Sequence, residues 1–536
     1  MASLLLAIVL PFGLILISTY AFQLMANARR RLPPGPLPLP VIGNLLTIGR
    51  GSPHRSLARL AERYGPLMSL RLGVVHAVVV SSSSAAREVL QRHNAVLADR
   101  PVIDAWLANG HRANSIIALP PHAKWRALRR LCATELFAPG RLDALGPLRQ
   151  RKRDAAPRLR AGGAPAAMNI LSRMMFSVDL DSGPPPSPGG RRGLSDAVKE
   201  ATILAATPNV SDFFPAIAAA DLQGLRCRMG PLVADAHKIL DELFAQRLLD
   251  REACEPPKND MLDAVLDKEH EWQQEATAVG SWTAVPPCGV AGETAPFDEL
   301  GGDSVSTWEL QPGLCAPRRA GTAGSIGMGP AIFSEDSLEG ADTSSTTVEW
   351  AMAALLKNPQ VMEKVKGELM RVLGNKTQVE ESDIAQLPYL QAVVKEVLRL
   401  YPSVATTFYR AEATVQVQGY TIPEGTTIIL NIWAVHRDAD VWTDPEKFMP
   451  ERFMDGGSDF SSKDCKLIPF GGGRRICIGL PLAYRTVHLI LASLLHQFDW
   501  ILPEEAMENG VDMTEKFGLV ISMATPLKAI AKKRDM

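Results

Sequence analysis

The sequence predicts a mainly helical body with small β-sheets, tethered by one N-terminal transmembrane helix. Three observations carry that expectation. From Ala2 to Phe22 there is no charged residue, and Leu, Ile, Val and Ala dominate. Amphipathic helical periodicity then recurs along most of the 536-residue chain. Runs of β-like character are few and short.

The apolar run comes first. At ~1.5 Å rise per residue it is long enough to cross a hydrocarbon core of ~30 Å. Arg29, Arg30 and Arg31 follow it and no basic residue precedes it, so the positive-inside rule leaves the bulk of the chain in the cytosol. A cleaved signal peptide normally carries its basic residues before a shorter apolar stretch. An uncleaved single-pass anchor over residues 1–24, in the endoplasmic reticulum membrane, is the reading adopted. Pro33, Pro34, Pro36, Pro38 and Pro40 come next; prolines at this density favour stiff, extended backbone. Residues 25–40 therefore read as a basic, proline-rich hinge, and 41–536 as the body.

Within the body, helical periodicity marks Ser83–His93, Ala123–Leu136, Ser195–Ala206, Pro231–Asp250, Thr346–Leu356 and Pro359–Leu373. Strand-like runs fall at Leu67–Leu72, Ala77–Val80, Thr414–Val417 and Thr427–Leu430. One stretch departs from this grammar. From Glu275 to Pro330 the helical period vanishes and Gly, Pro, Ser and Thr crowd in. A patternless loop of that length is foreign to a compact body.

Composition excludes several function classes. Apolar residues make up 46% and charged residues 21%, and the formal charge is −1, so no global charge recruits nucleic acid. The seven cysteines are odd in number and scattered, without a C-x-x-C pair. Neither a disulfide framework nor a structural zinc site follows, and a reducing compartment fits best.

The strongest chemical signal is Pro469-Phe-Gly-Gly-Gly-Arg-Arg-Ile-Cys-Ile-Gly479. It fits F-x-x-G-x-R-x-C-x-G at Phe470, Gly473, Arg475, Cys477 and Gly479, with a chance frequency on the order of 10⁻⁴ in a chain this long. Glycines let backbone lie close to a flat cofactor. Cys477 stands just before a helix expected over Leu480–His496, with Pro481 suited to its first turn. Free N–H groups and the positive helix end favour thiolate over thiol. A thiolate is an electron-donating axial ligand for haem iron. Alone, the motif also suits a structural cysteine in a glycine-rich turn.

With these residues the chain resembles a plant cytochrome P450, and further motifs of that family match. Glu396-x-x-Arg399 falls in the helical stretch Leu390–Leu400, and Phe448-Met-Pro-Glu-Arg-Phe453 follows. The resemblance implies a buried ion network of Glu396, Arg399 and Arg452. Trp125-Arg-Ala-Leu-Arg129 matches W-x-x-x-R. By resemblance, Trp125, Arg129, Arg410 and Arg475 donate to the haem propionates and Phe470 packs in the cofactor loop. Gly340-Ala-Asp-Thr-Ser344 matches the oxygen-activating motif, which implies that Asp342 and Thr343 deliver protons to dioxygen. Lys124, Arg126, Arg130 and Arg474 are expected to stay exposed as a dock for an acidic NADPH-cytochrome P450 reductase. The cofactor implied is haem b, with NADPH acting indirectly through the reductase.

The subfamily it is similar to is the terpenoid-oxidising one that includes geraniol hydroxylases and grass diterpenoid hydroxylases. By family position, an apolar small-molecule substrate meets Arg100–Pro121, Phe213-Phe214, Ser403–Phe408 and Phe517–Ile521. The same scaffold also serves phenolic and xenobiotic hydroxylation. One departure stands out. Where the family has Ala or Gly, this chain has Glu339, preceded by Ser334-Glu-Asp-Ser337. With the patternless stretch before it, this reads as a mis-spliced or mis-predicted segment that impairs catalysis, or else as a genuine acidic insertion.

Deleting residues 1–31 is expected to move the protein largely into the soluble fraction, leaving only what an apolar patch on the body retains. An unchanged membrane fraction after high-salt and carbonate washing contradicts the single anchor.

Overall fold

The computed structural model describes residues 18, 31–49, 51–146, 149, 171–178, 194–268, 335–454, 458–460 and 463–534. The anchor run, Ser18 apart, and the stretch Glu275–Pro330 lie outside the described residues. Among the described residues no helix is long and apolar enough to cross a membrane.

In chain order the longer helices are α1 (Pro53–Tyr64), α2 (Ala123–Leu131), α3 (Leu194–Ala206), α4 (Leu225–Glu252), α5 (Glu335–Lys357), α6 (Pro359–Leu373), α7 (Pro388–Leu400) and α8 (Leu480–Gln497). The main sheet uses β1 (Leu67–Leu72), β2 (Val75–Val80), β3 (Thr406–Arg410) and β6 (Thr427–Asn431), in the order β1-β2-β6-β3. The β2–β6 pair is parallel and the other two are antiparallel. Three two-stranded ribbons complete the sheets: β4 (Val415–Val417) with β5 (Tyr420–Ile422), β7 (Phe498–Ile501) with β10 (Ile530–Lys533), and β8 (Glu515–Lys516) with β9 (Ser522–Met523). The body is mainly helical with minor sheets, as expected.

Several boundaries differ for physical reasons. Pro231 was expected to open a helix, yet α4 begins six positions earlier and carries that proline inside it. A proline in a helix interior costs ~3 kcal/mol. The buried side chains of Leu225 and Met229 offset it, as does Asp221, whose carboxylate accepts from Cys227 N at 2.9 Å. The helices expected over Ser83–His93 and Ala123–Leu136 both finish in wider π-type turns, Glu88–Arg92 and Cys132–Leu136. Helix α5 starts at Glu335, ahead of both the Gly340–Ser344 motif and the Thr346–Leu356 periodicity, and its helical backbone runs unbroken through Glu339 and Gly340.

Helix α5 joins two cores. Val348, Trp350 and Leu355 pack with α6, α7 and α8, while Ala341 belongs to a second cluster with Trp125, Leu128, Leu240 and Leu482. The first core surrounds a charged centre. Glu396 and Arg399 of α7 are both 0% exposed. Arg399 Nε and Nη2 reach the Glu396 carboxylate at 2.7 and 2.9 Å. Arg452 Nε reaches it at 3.1 Å and the Met449 N–H at 2.8 Å. The remaining guanidinium protons go to carbonyls. Arg399 donates to those of His436, Pro445 and Lys447, and Arg452 to those of Thr443, Asp444 and Lys447. Every carbonyl named lies in 436–447, so the network fixes that irregular segment against α7.

Replacing Glu396 by Gln leaves two buried cations without a carboxylate. The expected loss is about 3–5 kcal/mol, read as the shift in the urea midpoint; a midpoint matching the wild type contradicts the network's role.

Candidate active site

The loop expected to hold a cofactor is built by short-range main-chain contacts. The Cys477 N–H donates to Phe470 O at 2.9 Å, and the Gly471 N–H to Ile468 O at 2.9 Å. Gly471 and Gly473 have φ +71 and +62, which a side chain would strain. A Cβ on Gly473 would also collide with the Leu90 carbonyl. Protein packing alone already requires that glycine. Helix α8 begins three residues after Cys477, and its proline sits in the first turn.

Cys477 is solvent-accessible, yet enough protein surrounds it that burial raises its thiol above the ordinary range. Those two observations describe a sulfur facing an interior cleft. Opposing the burial, the backbone N–H groups of Gly479 and Leu480 and the Arg129 charge favour the thiolate.

Beside the sulfur lies a concentration of cations. Trp125 and Arg129 share one face of α2, with the guanidinium 5.4 Å from the indole ring. Arg475 stands 4.4 Å from the same ring. Trp125 Nε1 donates to Ile116 O at 3.0 Å. Arg129 donates to Ile476 O, and Arg475 to Ala98 O at 2.7 Å and to Leu119 O. Burial first, then the Arg100 charge, push Arg475 down to about 9; Asp99 pulls the other way, and Arg129 adds a smaller push. Burial likewise lowers Arg100 and Arg129. Arg475 is the guanidinium that its two neighbours depress, and a cofactor carrying carboxylates would relieve it. The residues present fit haem.

Arg100 was not singled out as a member of this set. No spacing motif marks it, and it emerges only because Arg100 Nη1 reaches across to Thr407 Oγ1 at 3.0 Å and its charge acts on Arg475. Arg410, which was singled out, pairs through its backbone N–H with Asp99 O at 2.8 Å. Its half-buried guanidinium makes no hydrogen bond or ion pair with any described residue. The Phe470 ring packs edge-on against Phe460, centroids 5.3 Å apart.

Asp342 and Thr343 are both half-buried on α5. Thr343 Oγ1 donates to Gly340 O at 3.1 Å. The Thr343 carbonyl takes the Thr347 hydroxyl at 2.7 Å and lies 3.2 Å from Ser403 Oγ. Side-chain hydroxyls on a helix carbonyl compete with the ladder and bend the turn. Ala341 packs in one cluster with Leu482 and Ile478, which brings this turn beside the residues flanking Cys477.

The stretches expected to meet substrate are tied to one another. Arg100 bonds Thr407, the Ile521 N–H donates to Ser403 O at 2.8 Å, and the Asp104 N–H donates to the Asp212 carboxylate at 2.7 Å, one residue before Phe213. Arg126, Arg130 and Arg474 are exposed as expected, whereas Lys124 is half-buried and burial lowers its ammonium.

A lone cysteine sulfur at a helix N-terminus, set beside a hydroxyl-bearing turn and anion-seeking arginines, marks the haem-thiolate oxygenases as a class. The family model for cytochrome P450 matches residues 33–279 and 334–527. Oryzalexin E synthase of Oryza sativa subsp. japonica is 39% identical over 521 residues, 93% of this chain and 91% of that protein. Geraniol 8-hydroxylase of Catharanthus roseus is 36% identical, covering 95% of this chain and 96% of its own. Geranylhydroquinone 3''-hydroxylase of Arnebia euchroma is 36% identical, covering 96% and 97%. The chain belongs to the cytochrome P450 family. It is a monooxygenase that uses haem b and electrons from NADPH supplied through a reductase.

Cys477→Ala is expected to abolish the thiolate-type carbon-monoxide difference spectrum of the reduced protein, because it removes the thiolate ligand. Survival of that spectrum would refute the ligand assignment.

Proposed function

We propose that this monooxygenase hydroxylates an apolar terpenoid while tethered to the endoplasmic reticulum membrane, with its body in the cytosol. The carrying observation is the accessible Cys477 sulfur in an otherwise buried setting, packed close to the Thr343 turn. Cys477 is the protein's ligand to the iron. Arg129, Arg475 and Arg410 would hold the propionates, with Arg100 joining them, whereas the one Trp125 N–H is spent on Ile116 O. When bound, the haem supplies activation of dioxygen for insertion of one oxygen atom into a C–H bond.

The protein's own share is charge, position and proton delivery. The Gly479 and Leu480 N–H groups hold negative charge on Sγ. Thr343 Oγ1 presents a hydroxyl that hands on a proton, and Asp342 replenishes it from solvent. Of the substrate stretches, Ser403–Phe408 offers the exposed Phe408 ring to an apolar molecule, while Phe517 stacks on His54 and Phe214 lies against Gly73.

The terpenoid reading is supported by the relatives named for geraniol and geranylhydroquinone. The membrane reading is supported by exposed apolar residues beyond the anchor. Leu37, Leu39, Val41 and Leu46 are exposed on a segment whose Asn44 N–H donates to Arg71 O at 2.5 Å. Exposed Val74, at the adjoining β1–β2 turn, donates its N–H to Phe213 O at 3.0 Å, and exposed Ile217 and Leu222 follow.

The function test is NADPH-dependent oxidation of geraniol by the chain co-expressed with a plant reductase. In an active preparation, Thr343→Ala is expected to keep substrate binding while diverting most NADPH electrons to hydrogen peroxide. Unaltered product per NADPH would remove Thr343 from the mechanism.

The family match breaks between residues 279 and 334, and α5 starts at Glu335. Glu339 precedes the Gly340–Ser344 motif by a single position, where the family has Ala or Gly. The chain as it stands is therefore expected to bind haem poorly or turn over slowly. Replacing Glu275–Glu339 by an apolar helix ending in Ala should restore coupled hydroxylation. Brisk, coupled turnover by the unaltered chain would identify the segment as a working insertion.

A further inference from the structure

One buried side chain outside the groups already assigned touches both the ion network and the cysteine loop. His436 is 0% exposed and caps the short helix Ile432–Val435. Its carbonyl accepts from Arg399 Nη1 at 2.9 Å. Its ring Nε2 lies 2.8 Å from the backbone nitrogen of Ile468. An amide nitrogen only donates, so Nε2 carries the lone pair and the proton sits on Nδ1.

Nδ1 has no hydrogen-bond partner among the described residues. An orphaned buried donor is a standing cost, so the ring is poorly explained as a stabilising filler. Its useful atom is Nε2. Burial first, then the charges of Arg399 and Arg437, hold the imidazolium down at about 3. The acceptor is therefore kept at every pH where the enzyme is folded and useful.

The partner amide opens the loop that ends at the sulfur. Ile468 O receives the Gly471 N–H, and Phe470 O receives the Cys477 N–H. A short relay of main-chain bonds thus leads from Glu396 and Arg399, through one imidazole, towards Cys477.

We propose that His436 is a positioning residue for the thiolate loop: its Nε2 lone pair fixes the Ile468 amide and so sets the register in which Cys477 faces the haem. This rests on the reading of Cys477 as the ligand.

The test uses the full-length protein with two substitutions. His436→Phe keeps a planar ring and removes the lone pair; His436→Gln puts a carbonyl oxygen in place of Nε2. Two readouts are taken: hydrogen exchange of the Ile468 amide, and the lifetime of the thiolate-type carbon-monoxide band of the reduced haem protein. In His436→Phe the Ile468 amide should exchange about tenfold faster or more, with α6 and α7 amides unchanged. The thiolate band should decay several-fold faster. His436→Gln should restore both. Wild-type exchange and band lifetime in His436→Phe would overturn the proposal, as would a His436→Gln protein as impaired as the Phe variant. If His436→Phe does not fold, the wild type decides with His436→Gln: an Ile468 amide exchanging as an open loop does overturns the idea, and one protected in both supports it. Cys477→Ala separates the two readings. A thiolate band that survives it removes the ligand assignment, while the exchange readout still tests His436.

Discussion

Two cations sharing one buried carboxylate is the arrangement on which much of this protein rests. Glu396, Arg399 and Arg452 carry a net positive charge into a core of Val, Leu and Trp side chains. That is tolerable because the donors are spent on carbonyls, and because the guanidinium carbons lie 5.3 and 5.9 Å from the Trp442 ring. A hydrophobic replacement of similar volume could be as stable. It could not grip a segment that has no regular hydrogen bonding of its own. The ion network is best understood as a clamp that gives an irregular stretch of chain a single conformation, and the cysteine loop follows from that stretch.

The cationic cluster near Cys477 works by the opposite logic. In the network both guanidiniums share the Glu396 carboxylate, and carbonyls take the remaining donors. Around Arg475 the neighbouring cations depress it, and its own donors settle for carbonyl oxygens. The first arrangement is closed and structural; the second is open-ended and asks for a ligand. Which of two buried arginines serves structure and which serves a cofactor can thus be told from where the compensating charge is, without knowing the family.

Much of this was legible in the sequence where function compresses residues into short spacings. Cys477 and Arg475, Trp125 and Arg129, and Glu396 and Arg399 are each two to four positions apart on one element, and the structure keeps them together. Periodicity placed Pro359–Leu373 and Leu67–Leu72 without error. What sequence could not show were partners brought together by topology. Arg100 meets Thr407 across 307 positions, and His436 meets Ile468 across 32. Neither leaves a local pattern. Pro231 failed for another reason: a local breaking signal was outweighed by buried leucine and methionine and by an aspartate at the helix start.

Ser403 carries a consequence of a different kind. Its hydroxyl lies 2.9 Å from the Thr347 hydroxyl and 3.2 Å from the Thr343 carbonyl, and its carbonyl holds the Ile521 amide. Trp350 of the same helix donates to Ile521 O at 3.1 Å. Two stretches proposed to meet substrate are therefore bonded to the helix that carries Asp342 and Thr343. For the history of such a sequence this makes substitutions in those stretches epistatic. A change that suits a new molecule also shifts the turn at Thr343, and its value depends on what already stands at 347, 350 and 521. New selectivity on this scaffold is then reached by ordered sets of changes, in which the sequence of steps matters as much as the residues chosen.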